Sequence, residues 1–209
     1  MSTNEPPPEQ PPADQTPPPT PPPTPPPAAQ YGAPPPPAPP GVPRPGELLD
    51  RFLARLIDGV IIGVAYGILS AVFATILISD AIRRSDGTID DGSTILYYIV
   101  LGIVLSLLSL GYYSYMESSH GQTLGKMVMK LRVYGPDGTS NPTLEQAIRR
   151  NIWTAFPLAF VIPVVGQIIG GLGALVAEIM IAVGINSDTV NRQAWHDHFA
   201  GGTRVVKIG

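Results

Sequence analysis

The chain has 209 residues, no cysteine and a formal net charge of −3, and these properties exclude several classes of protein. Without cysteine there is no disulfide framework, no thiolate nucleophile and no cysteine-ligated metal. Without a long run of Lys and Arg there is no electrostatic footprint for nucleic acid, which is therefore not an expected partner. The hydrophobic fraction of 44% is an average over two unlike parts, so each part is considered separately.

The first part is a proline-rich head over residues 1–46, which holds 22 of the 26 prolines. It has too little apolar surface to offset chain entropy, so we expect a disordered, extended segment of ~3.1 Å per residue. The head is either a solvated spacer or a ligand for a proline-recognising or membrane-assembly protein. Its start at Met1 lacks the features of a signal peptide, so we expect the first apolar segment to act as the retained targeting signal.

The second part, residues 47–209, carries the apolar segments of a membrane protein. Gly59–Ile78 contains 20 residues and no charge, and such a helix matches a hydrocarbon core about 30 Å thick. A second uncharged run, Gly92–Met116, has tyrosines near both ends, where interfacial aromatic residues belong. We therefore predict an all-α fold, a small multi-pass transmembrane helical bundle, with its first two spans at about 56–78 and 94–116.

The third apolar stretch, Ile152–Ile185, is 34 residues long and is interrupted by prolines and glycines. It is either one kinked helix with an interfacial lead-in or a hairpin of two short helices at about 152–165 and 168–186. Basic residues are more frequent in the head, the 117–150 loop and the tail than in the Asp80–Asp91 loop, which predicts that the first three are cytoplasmic. An even number of crossings follows, so four spans are preferred over three.

The 117–150 loop and the tail each contain a segment that alternates in hydrophobicity like a strand. Met129–Tyr134 ends at a turn signal, and Thr203–Ile208 has the same alternation. We expect the two segments to pair as a small cytoplasmic sheet that leans on the helices, because an isolated hairpin is marginal. Thr143 or Asn141 is predicted to cap the helix that follows the first strand.

Three charged residues lie at the entry to the first span. Arg51, Arg55 and Asp58 follow the spacing that places all three on one helix face, and Arg55 can pair with Asp58 at i+3. They are either an interfacial ion pair that fixes the depth of the helix or a polar site that faces the bundle interior.

Glu178 is the only charged residue between Arg150 and Asp188. A carboxylate at this depth must be protonated or find a partner, because an isolated buried charge is strongly disfavoured. Glu178 is therefore a candidate ion- or proton-handling group, and the alternative is a neutral acid that donates a hydrogen bond to another helix.

The tail contains Asp197 between His196 and His198. Histidines at i, i+2 diverge on a helix, so the pattern is a weak indication of a metal site. We expect Asp197 to be structural and to anchor the tail by pairing with a basic residue such as Arg55 or Lys126.

Three blocks frame most of the second part: Arg51-Phe-Leu-Ala-Arg-Leu-Ile-Asp58, Gly121-Gln-Thr-Leu-Gly-Lys126 with Leu131-Arg-Val133, and His196-Asp-His-Phe-Ala-Gly-Gly-Thr-Arg-Val-Val206. With apolar spans between them, they resemble the RDD family of bacterial membrane proteins. The resemblance implies that the arginine of the family is Arg55, with Arg51 as the alternative, and that its two aspartates are Asp58 and Asp197. It also implies a multi-pass protein of the bacterial plasma membrane. The broken third stretch departs from the family pattern.

No phosphate-binding loop, nucleophile elbow or HExxH motif occurs, so we expect neither an enzyme nor a cofactor. The first functional hypothesis is a small transporter or transporter subunit in which Arg55, Asp58 and Glu178 handle a cation, a proton or a small ligand. The alternative is a membrane scaffold that recruits partners through its head. The lipid bilayer is an expected partner in both, and a homo-oligomer is compatible with either.

Overall fold

The computed structural model describes residues 43–77 and 91–209. The predictions for residues 1–42, including disorder of the head, and for the loop at 80–90 lie outside these ranges. Within them the chain is mostly helical and carries one small sheet, as predicted.

The described elements follow one another without long irregular segments. In chain order they are β1 (Arg44–Pro45), α1 (Leu48–Leu77), α2 (Asp91–His120), α3 (Leu124–Val128), β2 (Leu131–Tyr134), α4 (Leu144–Asn151), a 3-10 helix (Ile152–Val161), α5 (Val165–Ser187), α6 (Trp195–Phe199) and β3 (Arg204–Lys207). Among the described residues three helices, α1, α2 from Thr94 onward and α5, are long and apolar enough to cross a membrane. Strand β1 lies slightly before the predicted boundary at residue 47.

Helices α1 and α2 run antiparallel and are joined by polar as well as apolar contacts. The Tyr66 hydroxyl donates to the carbonyl of Leu105 at 2.9 Å, and Ser70 Oγ lies 2.7 Å from the Tyr97 hydroxyl. Tyr97, Leu101 and Leu105 form the buried apolar core between the two helices. Polar side chains at this depth are satisfied within the bundle because lipid offers them no partners.

The third apolar stretch folds back on itself as a hairpin. The 3-10 helix ends at Val161, the chain reverses at residues 162–164, and α5 returns to the side from which the stretch entered. The first limb of the hairpin is short: ten residues at ~2.0 Å each extend only ~20 Å, against a hydrocarbon core of about 30 Å. The predicted span at about 152–165 is therefore present only as a short limb, and the described residues contain three helices long and apolar enough to cross a membrane, not four.

The 3-10 geometry is supported by neighbours on both sides. Pro157 lies inside the helix and lacks a backbone donor. On one side, Ser109 Oγ on α2 donates to the carbonyl of Thr154 at 2.8 Å. On the other side, a Cβ at Gly166 would lie 1.7 Å from the carbonyl oxygen of Ala159, so only glycine permits α5 to approach this closely.

Helix α4 begins at one of the two predicted caps. Thr143 Oγ1 accepts from the backbone nitrogen of Gln146, and Gln146 Oε1 accepts from that of Thr143. This reciprocal pair satisfies two donors at the helix start. Asn141 instead donates to the carbonyl of Ser119.

The sheet has three antiparallel strands in the order β1-β3-β2. The predicted pairing of the loop with the tail is confirmed, with Leu131 opposite Lys207 and Tyr134 opposite Arg204. The sequence did not predict β1, where Arg44 and Pro45 add a third strand. Proline is accommodated there because β1 is an edge strand.

The sheet packs against the first turns of α1. Leu131, Val133 and Val205 are buried together with Ala54. The sheet therefore joins the segments before α1, after α2 and after α5 on one face of the bundle. This face, residues 43–58, 117–151 and 188–209, is called the polar face below.

The absence of cysteine from the sequence makes this arrangement directly measurable. We expect single-cysteine variants Glu145→Cys and Ile208→Cys to react with an impermeant maleimide from the same side of sealed vesicles. Both side chains are exposed, at 72% for Glu145 and 42% for Ile208. Ser85→Cys, between α1 and α2, should react from the opposite side. Labelling of the first two variants from opposite sides would contradict the sheet.

Candidate functional site

Asp58 is fully buried, and the segment after α2 provides two of its three hydrogen-bond donors. Its Oδ1 accepts from the Tyr112 hydroxyl on α2 and from the backbone nitrogen of Gly125, both at 2.8 Å. Its Oδ2 accepts from Thr123 Oγ1 at 2.6 Å. These are charge-assisted hydrogen bonds and attach α3 to α1.

Gly125 fits a contact that no larger residue allows. A Cβ at this position would lie 2.0 Å from the carbonyl oxygen of Ala54 and 3.0 Å from Asp58 Cγ. The backbone of α3 has to come this close because the nitrogen of Gly125 donates to Asp58. Sterics therefore explain why the Gly121–Lys126 block has a glycine at position 125.

Arg150, at the end of α4, bridges two buried carboxylates. Its Nη1 donates to Glu117 Oε1 at 2.8 Å, and its Nε donates to Asp197 Oδ1 at 2.9 Å. The pKa of Arg150 is raised above its usual value, because the charges of Glu117 and Asp197 outweigh the burial that would lower it. Arg150 is therefore a permanent charge that joins α2, α4 and α6.

Glu117 is fully buried at the end of α2 and is held by two further donors. Lys126 Nζ donates to Oε1, and Asn151 Nδ2 donates to Oε2 at 2.8 Å. Burial lowers the pKa of Lys126, and the charge of Glu117 opposes that shift. The carboxylate is thus fully satisfied by three neighbours, Lys126 on α3 and Arg150 and Asn151 on α4.

Asp197 is fully buried and accepts from four groups. In addition to Arg150, these are Arg51 Nη1 at 3.5 Å, Thr203 Oγ1 at 3.1 Å and the backbone nitrogen of Ala194 at 3.1 Å. The tail is therefore attached to the helices through Asp197.

The basic partners predicted for Asp197 are wrong. Lys126 donates to Glu117, and Arg55 contacts aromatic rings instead. Arg51, which the resemblance ranked behind Arg55, is the arginine of α1 that reaches Asp197. We refer to Arg51, Glu117, Lys126, Arg150 and Asp197 as the charge cluster.

His196 lies beside the charge cluster in its neutral form. Its Nε2 is 3.4 Å from Arg150 Nη2, and because arginine can only donate, Nε2 accepts and the ring proton is on Nδ1. Burial lowers the pKa of His196 to about 3. The pKa of Asp197 is far below its usual value, although burial would raise it, because His196, Arg150 and Arg51 outweigh burial. Since His196 is uncharged at neutral pH, the two arginines supply that effect there. His198 is exposed, so the two histidines do not converge.

Arg55 lies between two aromatic rings rather than against Asp58. Its guanidinium carbon is 4.1 Å from the ring centroid of Tyr113 and 4.3 Å from that of Trp153. Such cation–π contacts contribute up to ~2 kcal/mol each when desolvated. The predicted Arg55–Asp58 ion pair does not form, because donors around α3 occupy Asp58. Within the described part of the chain, Arg55 has no acidic partner.

A cavity of about 690 Å³ lies between α1, the 3-10 helix and α5. Arg51, Arg55 and His196 line it near the polar face, and Glu178 lines it on α5. Glu178 is exposed, and among the residues that the structure describes it has no hydrogen bond or ion pair. The helix partner considered for Glu178 is therefore not found in 43–77 or 91–209.

The sequence analysis did not single out Glu117 and Arg150. Arg150 was counted only among the basic residues that predict orientation, and Glu117 was given no role. Their positions in the sequence could have identified them. Glu117 directly follows the second apolar run, and one residue separates Arg150 from the start of the third. Charges at the ends of apolar runs meet when the spans pack side by side.

These features define a multi-pass helical membrane module. On one of its faces, buried ion pairs hold the helices and the tail together. The sequence model of the RDD family matches residues 45–201, which include the whole charge cluster. The chain belongs to the RDD family. Neither the curated proteins nor the solved structures give a match.

Neighbouring arginines on α4 allow a matched test of the charge cluster. Arg150→Leu strands two buried carboxylates, so we expect it to lower the free energy of unfolding by ~3–5 kcal/mol. Arg149→Leu removes only a surface pair with Glu145, whose loss is worth roughly 0–1 kcal/mol. Unfolding in detergent, followed by tyrosine and tryptophan fluorescence, measures both. Equal losses would show that Arg150 does not hold the polar face together.

A second test uses the depressed pKa of His196. The unfolded chain binds a proton at this position near pH 6.5, whereas the folded chain does so only near pH 3. Stability therefore falls as the pH drops below about 6.5, by ~2 kcal/mol between pH 7 and pH 5 for this one group. We expect His196→Gln to remove that part of the pH dependence and His198→Gln to keep it. Melting curves of the wild type and the two variants at pH 7 and pH 5 measure this difference. The same pH dependence in all three proteins would contradict the prediction.

Proposed function

We propose that this protein is a small transporter or a transporter subunit and that the cavity is its ligand site. The observation that carries the proposal is the pairing of charges. Five charged residues are locked into the charge cluster, whereas Arg55 and Glu178 line the cavity with no partner of opposite charge in the described structure. Charges left in an apolar site are costly and mark ligand or ion pathways.

The size and position of the cavity support this proposal. Ligand sites have volumes of roughly 300–1,000 Å³ and mostly apolar walls with a few polar groups, and the cavity, at about 690 Å³, falls within that range. It lies beside α1, which packs mainly on α2 and α3 and leaves a gap towards α5. A ligand in this gap would have access to the polar face and to the bilayer.

We now assign fewer residues to the ligand than the transporter hypothesis from the sequence did. Asp58 is occupied by three donors from the protein and is assigned to the attachment of α3. Arg55 and Glu178 remain as the groups that meet the ligand. A carboxylate on a lipid-exposed helix is stable when protonated or paired, so Glu178 is the group we assign to proton or cation coupling.

We propose that the polar face and the N-terminus are cytoplasmic, because the polar face carries most of the basic residues and such segments stay on the cytoplasmic side under the positive-inside rule. The membrane we propose is a bacterial plasma membrane. Maleimide labelling of intact cells would test this: Ser85→Cys should be reached from outside, and Glu145→Cys should not.

The scaffold hypothesis stays a prediction, because most of the head lies outside the described residues. One observation favours it as a second candidate: β1 is bound into the sheet and fixes the end of the head at the polar face. Comparison of crosslinked partners with and without residues 1–42 tests it, and an unchanged set of partners would reject it.

Proton flux in vesicles tests the transporter. We expect the reconstituted protein to move protons when a sodium or potassium gradient is imposed, and Glu178→Gln to abolish that flux. Glu145→Gln is the matched control, because Glu145 is exposed on α4 and remote from the cavity. A pH-sensitive dye inside the vesicles reports the flux. Flux no greater than in empty vesicles, or equal flux in the wild type and Glu178→Gln, would refute the proposal.

A further inference from the structure

The end of the cavity near the polar face is built from hydrogen-bond donors. Arg55 offers a guanidinium whose two faces are covered by Tyr113 and Trp153, while its N–H groups have no acidic acceptor in the described structure. Guanidinium edges bind planar or tetrahedral oxyanions in two-point contacts. The acceptor that Arg55 lacks is therefore an oxyanion.

Two buried donors beside Arg55 also lack partners. Arg51 Nη2 and His196 Nδ1 are buried without a hydrogen bond, and both residues line the cavity. The Arg51 side chain is only 9% exposed. Because Nε2 of His196 accepts from Arg150, its Nδ1 carries the proton and donates. Buried donors are nearly always paired, and these two atoms lie behind the wall of the cavity without an acceptor.

The charge balance around this end favours an anion. The basic side chains that line it are those of Arg51, Arg55, Lys126 and Arg150. The acidic side chains at this end are Asp58, which lines the cavity, and Glu117 and Asp197, which pair with Lys126 and the two buried arginines. One positive charge remains uncompensated. This count leaves out Glu178, which also lines the cavity, on α5.

The remainder of the cavity is apolar and opens sideways. Phe52, Leu56 and Val60 line it from α1 and are themselves 58%, 54% and 62% exposed. Ile181 and Ile185 line it from α5. In a bilayer these exposed faces contact lipid, so the cavity is continuous with the acyl-chain region.

We propose that the cavity binds a lipid with an anionic phosphate headgroup. The phosphate accepts from Arg55, the guanidinium of Arg51 adds positive charge at the same end of the cavity, and the acyl chain lies in the gap between α1 and α5. The proposal rests on the cavity being the ligand site proposed above, and it names the class of that ligand.

Tryptophan quenching provides the experiment, because Trp153 covers Arg55. The full chain with Trp195→Phe retains Trp153 as its only tryptophan. Vesicles of phosphatidylcholine are titrated with brominated phosphatidylglycerol or with brominated phosphatidylcholine. We expect the anionic lipid to quench Trp153 at an at least fivefold lower mole fraction than the zwitterionic lipid.

Two pairs of variants separate the headgroup contact from the acyl-chain contact. Arg55→Gln should abolish the preference for the anionic lipid, Arg55→Lys should keep part of it, and Arg149→Gln on the surface should leave it unchanged. Gly59 lines the cavity, and a Cβ there meets no atom within 4 Å, so we use Gly59→Leu to add an apolar side chain at the cavity wall. It should reduce quenching by both lipids. Gly63→Leu has the same free space but lies outside the cavity lining, and it should not.

Equal quenching of the wild-type chain by the two lipids would overturn the proposal without the need for any variant. A rise in melting temperature with inorganic phosphate in neutral detergent, without a lipid preference, would assign the site to a free anion and also overturn it. Lipid preference without proton flux would retain the lipid site and reject the transporter. Flux without lipid preference would reject only the lipid.

Discussion

The pairing of Arg150 with Glu117 and Asp197 is the interaction on which the polar face depends. The two carboxylates come from the end of α2 and from the tail, and one guanidinium at the end of α4 holds both. Each of these charges would be strongly disfavoured alone at this depth of burial, so none is satisfied until the three segments meet. The charge cluster therefore determines which segments must come together for the chain to fold. It adds little net stability, because the cost of burying the charges offsets much of their attraction.

The apolar part of the bundle follows a different rule. Its helices gain little from the hydrophobic effect against one another, because lipid tails are as apolar as their side chains. The helices are held together instead by close approach of the backbones, as at Gly166, and by hydrogen bonds from hydroxyl groups to carbonyls, as from Ser109 to Thr154. The 3-10 helix uses both, and it is tolerated because α2 and α5 cover it on either side. The cavity remains where this close packing stops, between α1 and α5.

The sequence predicts the long helices, the two alternating segments that pair as β2 and β3, and a cap at Thr143 or Asn141, because each depends on local periodicity or on residues a few positions apart. It also locates Arg51, Asp58 and Asp197 as residues of consequence. It does not give their partners: Arg150 and Asp197 are 47 residues apart, and one sequence contains no signal that couples them. Arg55 and Asp58 satisfy the spacing rule for an ion pair, yet donors around α3 compete successfully for Asp58. The strand β1 was missed because a proline-rich context favours an extended, unpaired chain.

The order of the strands has a consequence for biosynthesis. β3 is the central strand of the sheet, between β1 and β2, yet it follows all the helices in the chain. Both of its neighbours are translated earlier and leave the membrane insertion machinery with unpaired edges. Asp197 likewise reaches the bilayer surface after Arg51 and Arg150 are already in place. A nascent chain interrupted before this point lacks the central strand of the sheet and the carboxylate that pairs with both arginines.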